Sequence, residues 1–326
     1  MLPLSVLRTL VEGVRRDGTS AIADAAAAAW HIPPGQARHV RTSAAHVFEV
    51  PQHSAYLRLM PISAYPSARS VARASLAISE RGAPVATPRP GRDGPVAVVM
   101  SPVGPMHASL IDAVEGPSIE LADLDPEQVR RWGRTIAEMH EAAAAIGCSE
   151  LPRWTDLVTG AGAAIPGQQW PPDIAQEVCD WLKPLLGPPD LLGHGDPQPD
   201  NLAWTPTGPV FFDLDDVSGS WAIADLAMAI RDVQPIDQLE RPATWSPQGR
   251  MLLRGYREVR TLDSAAERAV SVLQRGQALL TYGRLQVALD APQAGEPAWV
   301  ASLRQKLQLT ASRLRRALAS APPLQG

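Results

Sequence analysis

The segment from Leu191 to Asp216 constrains this chain more than any other part of its sequence. It begins with two leucines and the residues G-H-G-D-P-Q-P-D-N, continues through L-A-W and the turn-forming T-P-T-G-P, and ends in V-F-F-D-L-D-D. Short apolar runs separated by turn residues predict a strand, a loop and a strand. We therefore expect its polar residues to share one loop and one strand end.

The acidic and amide side chains of this segment have the spacing that phosphoryl transfer needs. Asp196 and Asn201 share the loop, and Asp213 comes twelve residues after Asn201, at the end of an apolar strand. One carboxylate can accept the proton of an attacking hydroxyl, while an amide oxygen and a second carboxylate can hold the Mg²⁺ that bridges nucleotide phosphates. The alternative is a turn without chemistry, because Asp and Asn favour turns.

Length and composition indicate a globular chain. Its 326 residues are 45% apolar and 20% charged, enough for one deep core or two lobes. No stretch reaches about 18 uninterrupted apolar residues, and the first residues lack the pattern of a secretion signal, so we expect a cytoplasmic protein with no membrane partner. Cys148 and Cys179 are too few for a disulfide framework, and we interpret both as buried thiols.

The charge distribution gives no general reason to bind nucleic acid. The net charge is -4, although residues 250–316 contain twelve basic and five acidic residues, a local charge of +7. These basic residues recur at helical spacing between apolar ones, which favours a solvated helix face over a polyanion site. We therefore predict no nucleic-acid partner.

The chain before the central segment predicts a β-rich region. A helix is predicted over 19–30, with Thr19 or Ser20 as its N-cap and an end at Pro33. Short runs of β-branched and aromatic residues then predict five strands around one helix. The strands are 39–42, 47–50, 55–60, 95–103 and 107–114, and the helix is 70–81.

From residue 115 onward the sequence predicts mostly helices. Asp125 supplies an N-cap, Pro126 the first helical position, and Gln128 can complete a capping box. Apolar periodicity predicts the other helices. The predicted ranges are 126–146, 173–186, 222–232, 247–260, 264–289 and 297–319.

At residues 193–201 and 213–225 the chain resembles the aminoglycoside phosphotransferase and choline kinase superfamily, a branch of the protein-kinase-like fold. The motif F-F-D-L-D-D-V-S-G-S-W-A-I-A-D-L-A is similar to that of the RdoA/SrkA-like kinases. The resemblance implies a two-lobed α+β fold. Residues 1–114 would form a small β-rich N-lobe that binds the nucleotide, and residues 115–326 a larger helical C-lobe with the catalytic loop 193–201 and the metal motif 213–216.

The resemblance also implies roles for individual residues. His194 would brace the catalytic loop by hydrogen bonds, and Asp225 would support that loop, whereas Asp200 and Asp216 can equally be solvated turn residues. Gln198 stands where many relatives carry His, which would alter the hydrogen bonds around the site more than the reaction. At the reaction centre the resemblance implies a catalytic base, Asp196, two magnesium ligands, Asn201 and Asp213, and an aid to a second metal, Asp215.

The expected nucleotide site departs from the family pattern. Kinases of this fold usually carry a Lys on the third strand, paired with a Glu, yet no lysine precedes Lys183. Arg58 is the only cation on that strand, and its guanidinium offers a bidentate donor instead. The alternative is that Arg58 is an exposed strand residue. Glu80 is the one acidic residue between Met60 and Arg92, so the usual ion pair is not evident.

The remaining nucleotide contacts are expected from hydroxyl and backbone groups. No glycine-rich loop lies near Ser43, so hydroxyls and N–H groups there would cover the phosphates. By the resemblance, the adenine would bind hinge backbone near Asp112 and Val114. His46 stands where relatives often have Asn, and we favour a core or surface histidine.

The sequence thus predicts ATP- and Mg²⁺-dependent transfer of a γ-phosphate to a hydroxyl of a small molecule, such as an amino alcohol, a sugar or an antibiotic. We expect the acceptor between the catalytic loop and the helices after Trp245, where the local positive charge disfavours a polycationic aminoglycoside. Two alternatives stay open. One is an RdoA/SrkA-like protein Ser/Thr kinase, and the other is a regulatory nucleotide-binding pseudokinase, motivated by the missing Lys–Glu pair.

Overall fold

The chain forms two compact units in a computed structural model that describes residues 1–65, 67–146, 150–165, 167–233, 245–262 and 264–324. The first unit comprises Met1–Leu76, Ala86–Ala113 and Arg284–Ala311. The second comprises Ala77–Val85, Val114–Gly283 and Ser312–Gly326. The division after Ala113 lies beside the expected boundary at residue 114. The first unit differs from the expected N-lobe because it also takes in part of the end of the chain.

An antiparallel sheet dominates the first unit. The sequence predicted five strands here and the sheet has six, because a two-residue strand at Pro88–Arg89 is too short to show an apolar pattern. In spatial order the strands run β1-β2-β3-β6-β4, with β5 also paired to β6. They are β1 Arg38–Thr42, β2 His46–Val50, β3 Ala55–Pro61, β4 Pro88–Arg89, β5 Ala97–Ser101 and β6 Gly104–Asp112.

Two short helices cover the core of this unit. The helix predicted over 19–30 is α2, Ala21–Ala27, continued by a 3₁₀ turn that ends at Trp30. The sequence analysis missed α1, Leu4–Glu12, which buries Leu7 and Leu10 against Phe48 and Leu57 of the sheet. Apolar burial by an amphipathic helix of this kind stabilises the unit by about 2 kcal/mol for each leucine.

The end of the chain holds the start of α1 in place. Pro3, at the N-cap of α1, offers no side-chain acceptor, and the backbone N–H of Ser5 instead donates to Asp290 Oδ2 at 3.1 Å. Arg304 lies in the last helix of the chain and pairs with Glu296, while Leu303 packs against the core of the first unit. These contacts explain why residues 284–311 belong with the sheet.

The remaining helices follow the predicted order with one addition. The addition, Trp154–Ala163, contains Gly160 and Gly162, which weaken a helix signal in sequence. Within the described ranges, no helix is both long enough and apolar enough to cross a membrane. The helices are α3 Ala68–Glu80, α4 Pro126–Ala144, α5 Trp154–Ala163, α6 Trp170–Leu186, α7 Ala222–Val233, α8 Pro247–Arg257, α9 Ser264–Ala288 and α10 Ala298–Ser320.

The capping box predicted at the start of α4 is present. The side chain of Asp125 accepts from the N–H of Gln128 at 2.8 Å, and Gln128 Oε1 accepts from the N–H of Asp125 at 2.8 Å. Two otherwise unpaired backbone donors are thereby satisfied.

The interpretation of both cysteines as buried is wrong for Cys179. Its thiol is half-buried on α6, where it lies 4.0 Å from the carbonyl oxygen of Thr155 on α5. Partial burial still raises the pKa of this thiol. Cys148 lies outside the described residues.

Helices α4 and α8 approach each other through a pair of glycines. A Cβ atom on Gly133 would lie 2.0 Å from the carbonyl oxygen of Leu252, and one on Gly255 would lie 1.8 Å from the carbonyl oxygen of Arg130. Neither distance is compatible with a real side chain. The backbone-to-backbone packing of these two helices therefore requires glycine at both positions.

We expect Gly255→Ala to lower the free energy of unfolding by about 1–3 kcal/mol, because overpacking costs more than the better helix propensity of Ala returns. Gly160→Ala in α5 is the matched control, since a Cβ atom there meets nothing within 4 Å. That change should stabilise the protein by up to about 1 kcal/mol. Urea denaturation of both variants measures the two effects, and a stabilised Gly255→Ala protein would contradict the close approach.

Candidate active site

The central segment folds as two paired pieces of strand around the expected catalytic loop. Strand β7, Leu191–Gly193, pairs antiparallel with β10, Ser218–Ser220, and β8, Leu202–Thr205, pairs antiparallel with β9, Gly208–Phe211. The loop between β7 and β8 ends in a 3₁₀ turn at Pro199–Asn201. The prediction of strand, loop and strand is confirmed, with β10 as an additional strand.

Asp225 anchors the beginning of this loop. Its carboxylate lies on α7, is 1% exposed, and accepts hydrogen bonds from the backbone N–H groups of His194 at 2.6 Å and Gly195 at 2.9 Å. His140 Nε2 of α4 donates to the same carboxylate at 2.8 Å. Since that nitrogen carries the proton, the hydroxyl of Tyr256 donates to His140 Nδ1 at 3.1 Å. One carboxylate thus ties the loop to α4, α7 and α8.

The environment of Asp225 keeps it ionised despite its burial. Burial disfavours the charged form, but the hydrogen bonds from His140 and from the N–H of Gly195 outweigh it and lower the pKa of Asp225. His194 is fully buried, and burial lowers the pKa of its imidazole. Its Nδ1 accepts the N–H of Asp196 at 3.3 Å, and its ring lies 4.8 Å from that of Phe211.

Asp196 and Asn201 face each other across the loop. The amide nitrogen of Asn201 donates to the carbonyl oxygen of Asp196 at 2.9 Å and to its Oδ2 at 3.1 Å. The other carboxylate oxygen, Oδ1, is buried and accepts no hydrogen bond from any residue that the structure describes. The carboxylate of Asp196 is therefore held by one oxygen, and the amide oxygen of Asn201 is left for another ligand.

Negative charge surrounds Asp196. Burial, followed by the charges of Asp216 and Asp213, raises the pKa of Asp196 to about 7, while Arg231 and the hydrogen bond from Asn201 act in the opposite direction. Sequence analysis left Asp216 as a possible solvated turn residue. The structure instead places it among the charged neighbours of Asp196.

Tight backbone packing brings Asp216 to the loop. Gly195 has φ +82°, and a Cβ atom there would lie 2.4 Å from the carbonyl oxygen of Asp216. Asp213 has φ +62°, a left-handed conformation that is uncommon for residues other than glycine. Such backbone strain concentrates at functional sites. Asp215 lies half-exposed in the 3₁₀ turn Leu214–Asp216.

Two features beside the loop were missed in the sequence. Trp132 of α4 donates its indole N–H to the carbonyl oxygen of Pro197 at 2.8 Å, inside the core. Gln198 donates to Asp232 Oδ1 at 3.4 Å, and Arg231 donates to the same oxygen. The R-D pair at the end of a predicted helix was the available signal, but spacing alone does not show which loop a helix end meets.

The expected nucleotide-binding residues lie apart from this loop in sequence. Arg58 is in the middle of β3, opposite Val47 and Ser109, and is 6% exposed, so the alternative of an exposed strand residue is wrong. Ser43 lies in the turn between β1 and β2, where its N–H donates to the carbonyl oxygen of Ala45 at 3.0 Å. Both residues belong to the first unit.

His46 is a fully buried core histidine, as favoured from the sequence. Its Nδ1 lies 2.7 Å from the hydroxyl oxygen of Thr42, which also bonds His39. Burial, and then the charge of His39, lowers the pKa of His46 to about 3, so its ring is neutral.

One of the two expected hinge positions has a free backbone donor. The N–H of Asp112 donates to the carbonyl oxygen of Thr87 at 2.9 Å, and its carboxylate pairs with Arg89. In the described part of the chain, the N–H of Val114 makes no hydrogen bond. Of the two expected hinge positions, Val114 thus retains its donor, while that of Asp112 is used within the first unit.

Asp225→Asn should lower the free energy of unfolding by about 3 kcal/mol. The amide NH₂ group of Asn would face a backbone N–H or the N–H of His140, so two donors would meet without an acceptor. The contribution of Asp225 is fully present above its unfolded pKa of about 3.9 and is lost as pH falls through the lower folded value. The difference between wild type and variant should therefore shrink below about pH 4. Urea denaturation across pH measures it, with the exposed Asp180→Asn as control. Equal stabilities at neutral pH would contradict this role.

Comparisons with known proteins identify the family of this chain. Residues 43–268 match the model of the phosphotransferase enzyme family. A homoserine kinase of Rhizobium johnstonii is 29% identical over 222 residues, which are 62% of this chain and 63% of that protein. The match therefore spans less than two thirds of the relative's own length.

Solved structures share the fold. An amicoumacin kinase in complex with AMP-PNP, Ca²⁺ and amicoumacin has a TM-score of 0.68 at 18% identity, over 90% of this chain and 92% of its own. A microcompartment-associated aminopropanol kinase has a TM-score of 0.59 at 19% identity, over 92% of this chain and 97% of its own. The expected closeness to RdoA/SrkA-like kinases stays a prediction. The predicted α+β, protein-kinase-like fold is confirmed, and the chain belongs to the phosphotransferase enzyme family.

Proposed function

We propose that this phosphotransferase moves the γ-phosphate of ATP, with Mg²⁺, to a hydroxyl of a small molecule, and that Asp196 is its catalytic base. The observation that carries the proposal is the asymmetric carboxylate of Asp196. Asn201 holds Oδ2, whereas Oδ1 is buried and accepts nothing from the described residues. A buried carboxylate oxygen without a partner is costly, and an acceptor hydroxyl would satisfy it.

The transfer needs one proton acceptor, and ADP is its leaving group. The hydroxyl oxygen forms a bond to the γ-phosphorus, the bond from that phosphorus to the bridging oxygen of ADP breaks, and the hydroxyl proton passes to Asp196 Oδ1. A pKa of about 7 suits this task, since a general base works best when its pKa lies near the operating pH.

The residues beside Asp196 fit a magnesium ion. Asn201 supplies a free amide oxygen and Asp213 a carboxylate, both hard oxygen ligands, and the surplus negative charge favours a cation. Among the described residues, no group of three or more His, Cys, Asp or Glu is placed to hold a metal. Mg²⁺ takes few protein ligands and completes its shell with phosphates and water. Bound there, it would neutralise phosphate charge, and Asp215 would assist a second ion.

The nucleotide would bind through both backbone and side-chain groups. The free N–H of Val114 supports a contact to the adenine, with backbone at Asp112 beside it. Turn backbone and hydroxyls near Ser43 would cover the phosphates. Arg58 would supply the phosphate-binding cation in place of the usual lysine, because guanidinium binds phosphate oxygens in a bidentate manner.

A small-molecule acceptor is favoured over a protein acceptor by the relatives. The names of the similar proteins include a homoserine kinase, an aminopropanol kinase and an amicoumacin kinase, all acting on small hydroxyl compounds. A protein Ser/Thr kinase and a regulatory pseudokinase are the competing functions, and the absence of a lysine before Lys183 is the observation that favours the pseudokinase.

Asp196→Asn should lower kcat by about 10² to 10⁴-fold, because the amide cannot accept the hydroxyl proton. ATP and magnesium binding, measured by calorimetry, should change little. Asp200→Asn is the matched control, since Asp200 is exposed in the same loop. Turnover is measured with Mg·ATP against a panel of small hydroxyl compounds and a protein mixture. Unchanged turnover of Asp196→Asn would refute the base, and labelling of the protein fraction alone would favour the protein kinase.

Arg58→Ala should raise the KM for ATP by about tenfold or more, which corresponds to about 1.4 kcal/mol, and Arg58→Lys should restore it only in part. Steady-state kinetics give both values. Because Arg58 is buried, the thermal midpoint of each variant is measured as well. A stable Arg58→Ala protein with wild-type KM would remove Arg58 from the nucleotide site and strengthen the pseudokinase alternative.

A further inference from the structure

A charged pair at the end of α7 lies beside the catalytic loop. Asp232 Oδ1 accepts from Gln198 Nε2 at 3.4 Å, and the backbone N–H of Gln198 in turn donates to the carbonyl oxygen of Asp196 at 2.8 Å. Arg231 precedes Asp232 on the helix and bonds the same oxygen. Two residues of opposite charge therefore connect to the proposed base through one loop residue.

The ion pair between Arg231 and Asp232 is long. Arg231 Nε and Nη2 both lie 3.3 Å from Asp232 Oδ1, longer than the roughly 2.7–2.9 Å of a strong charge-assisted pair. Asp232 Oδ2 and Arg231 Nη1 make no hydrogen bond within the described ranges. The side chains are 21% and 16% exposed, so solvent reaches both. Each charge can still bind an outside partner.

Arg231 and Asp232 both belong to the electrostatic environment of the candidate site. The positive charge of Arg231 lowers the pKa of Asp196, against the effect of burial and of the neighbouring carboxylates. Burial raises the pKa of Asp232, and Arg231 opposes that rise. A cation that reached Asp232 would stabilise its buried charge.

We propose that Arg231 and Asp232 bind the two charged groups of a zwitterionic acceptor, so that the substrate is an α-amino acid carrying a side-chain hydroxyl. The proposal rests on the proposed function and names its acceptor class. The guanidinium would bind the carboxylate in a bidentate manner, and Asp232 would bind the ammonium group. Their mutual ion pair, made at long distance, would be exchanged for two shorter ones.

Acceptors with a single charge fit this pair less well. A simple amino alcohol would use Asp232 and leave Arg231 without a ligand, whereas a hydroxy acid would use Arg231 and leave Asp232 without one. An uncharged sugar would use neither. Since the guanidinium of Arg231 lies 3.3 Å from Asp232 Oδ1, the two charged groups are close enough to bind the carboxylate and ammonium groups of one α-carbon.

The test compares three acceptors that differ only in these groups. The first is homoserine. The second is aminopropanol, which lacks the carboxylate of homoserine, and the third is hydroxybutanoate with its hydroxyl on the terminal carbon, which lacks the amine. Initial rates with Mg·ATP give kcat/KM for each. We expect homoserine to exceed both analogues by about tenfold or more. Arg231→Gln removes a charge near Asp196 and can change the rate with every acceptor, but it should lower kcat/KM for homoserine about tenfold more than kcat/KM for aminopropanol. Asp232→Asn should in turn lower kcat/KM for homoserine about tenfold more than kcat/KM for hydroxybutanoate.

Matched variants separate recognition from a general effect on the base. If Arg231 acted only through its effect on the ionisation of Asp196, Arg231→Gln would change kcat/KM equally for all three acceptors. That result would overturn the proposal. Arg231→Lys keeps the charge and should restore part of the preference for the carboxylate. Arg313→Gln on the exposed face of α10 is the control for removing an arginine. Thermal midpoints show that the variants remain folded.

The remaining outcomes distinguish this proposal from the function on which it rests. Equal kcat/KM values for the three acceptors in the wild type would overturn the proposed zwitterion site. So would transfer to a hydroxyl compound of another class with none to homoserine, and in that case the proposed kinase function would stand. Absence of transfer to every hydroxyl compound, with nucleotide bound, would overturn both.

Discussion

A single buried carboxylate carries much of the local order of the active site. Burying an ionised group is costly unless donors surround it, and Asp225 has two backbone N–H groups and the imidazole of His140. Because these donors come from the proposed catalytic loop and from α4, the contacts that satisfy the charge also hold the loop in its conformation. Tyr256 extends the network to α8, and Trp132 holds the loop further along at Pro197.

A second buried carboxylate has the opposite environment. Asp225 is surrounded by donors and its pKa is lowered, whereas Asp196 has like charges nearby and its pKa is raised to about 7. The first arrangement suits a permanent structural charge. The second suits a group that gains and loses a proton, and the surplus of negative charge suits a cation with its phosphates. The close approach at Gly195 brings Asp216 to Asp196, so the backbone conformation sets part of this electrostatic environment.

Sequence reasoning succeeded where local rules decide. The capping box of α4 and most strands and helices follow from side-chain chemistry over a few residues. It missed α5, whose glycines weaken the pattern, and the Pro88–Arg89 strand, which exists only by pairing with β6. It also placed Cys179 in the core, because the apolar pattern of α6 does not show how completely neighbouring helices cover it.

The sequence by itself determined the family, the fold class and the candidate groups Asp196, Asn201 and Asp213, because residue types and spacing within one short segment are visible without the fold. Only the tertiary structure decided which charges surround those groups, because field strength depends on distance and burial rather than on order in the chain. Sequence analysis left the role of Asp216 open and assigned none to Arg231, and both became neighbours of Asp196, the proposed base, through folding. The pairing of Ser5 with Asp290 is the clearest case, because 285 positions separate its two partners.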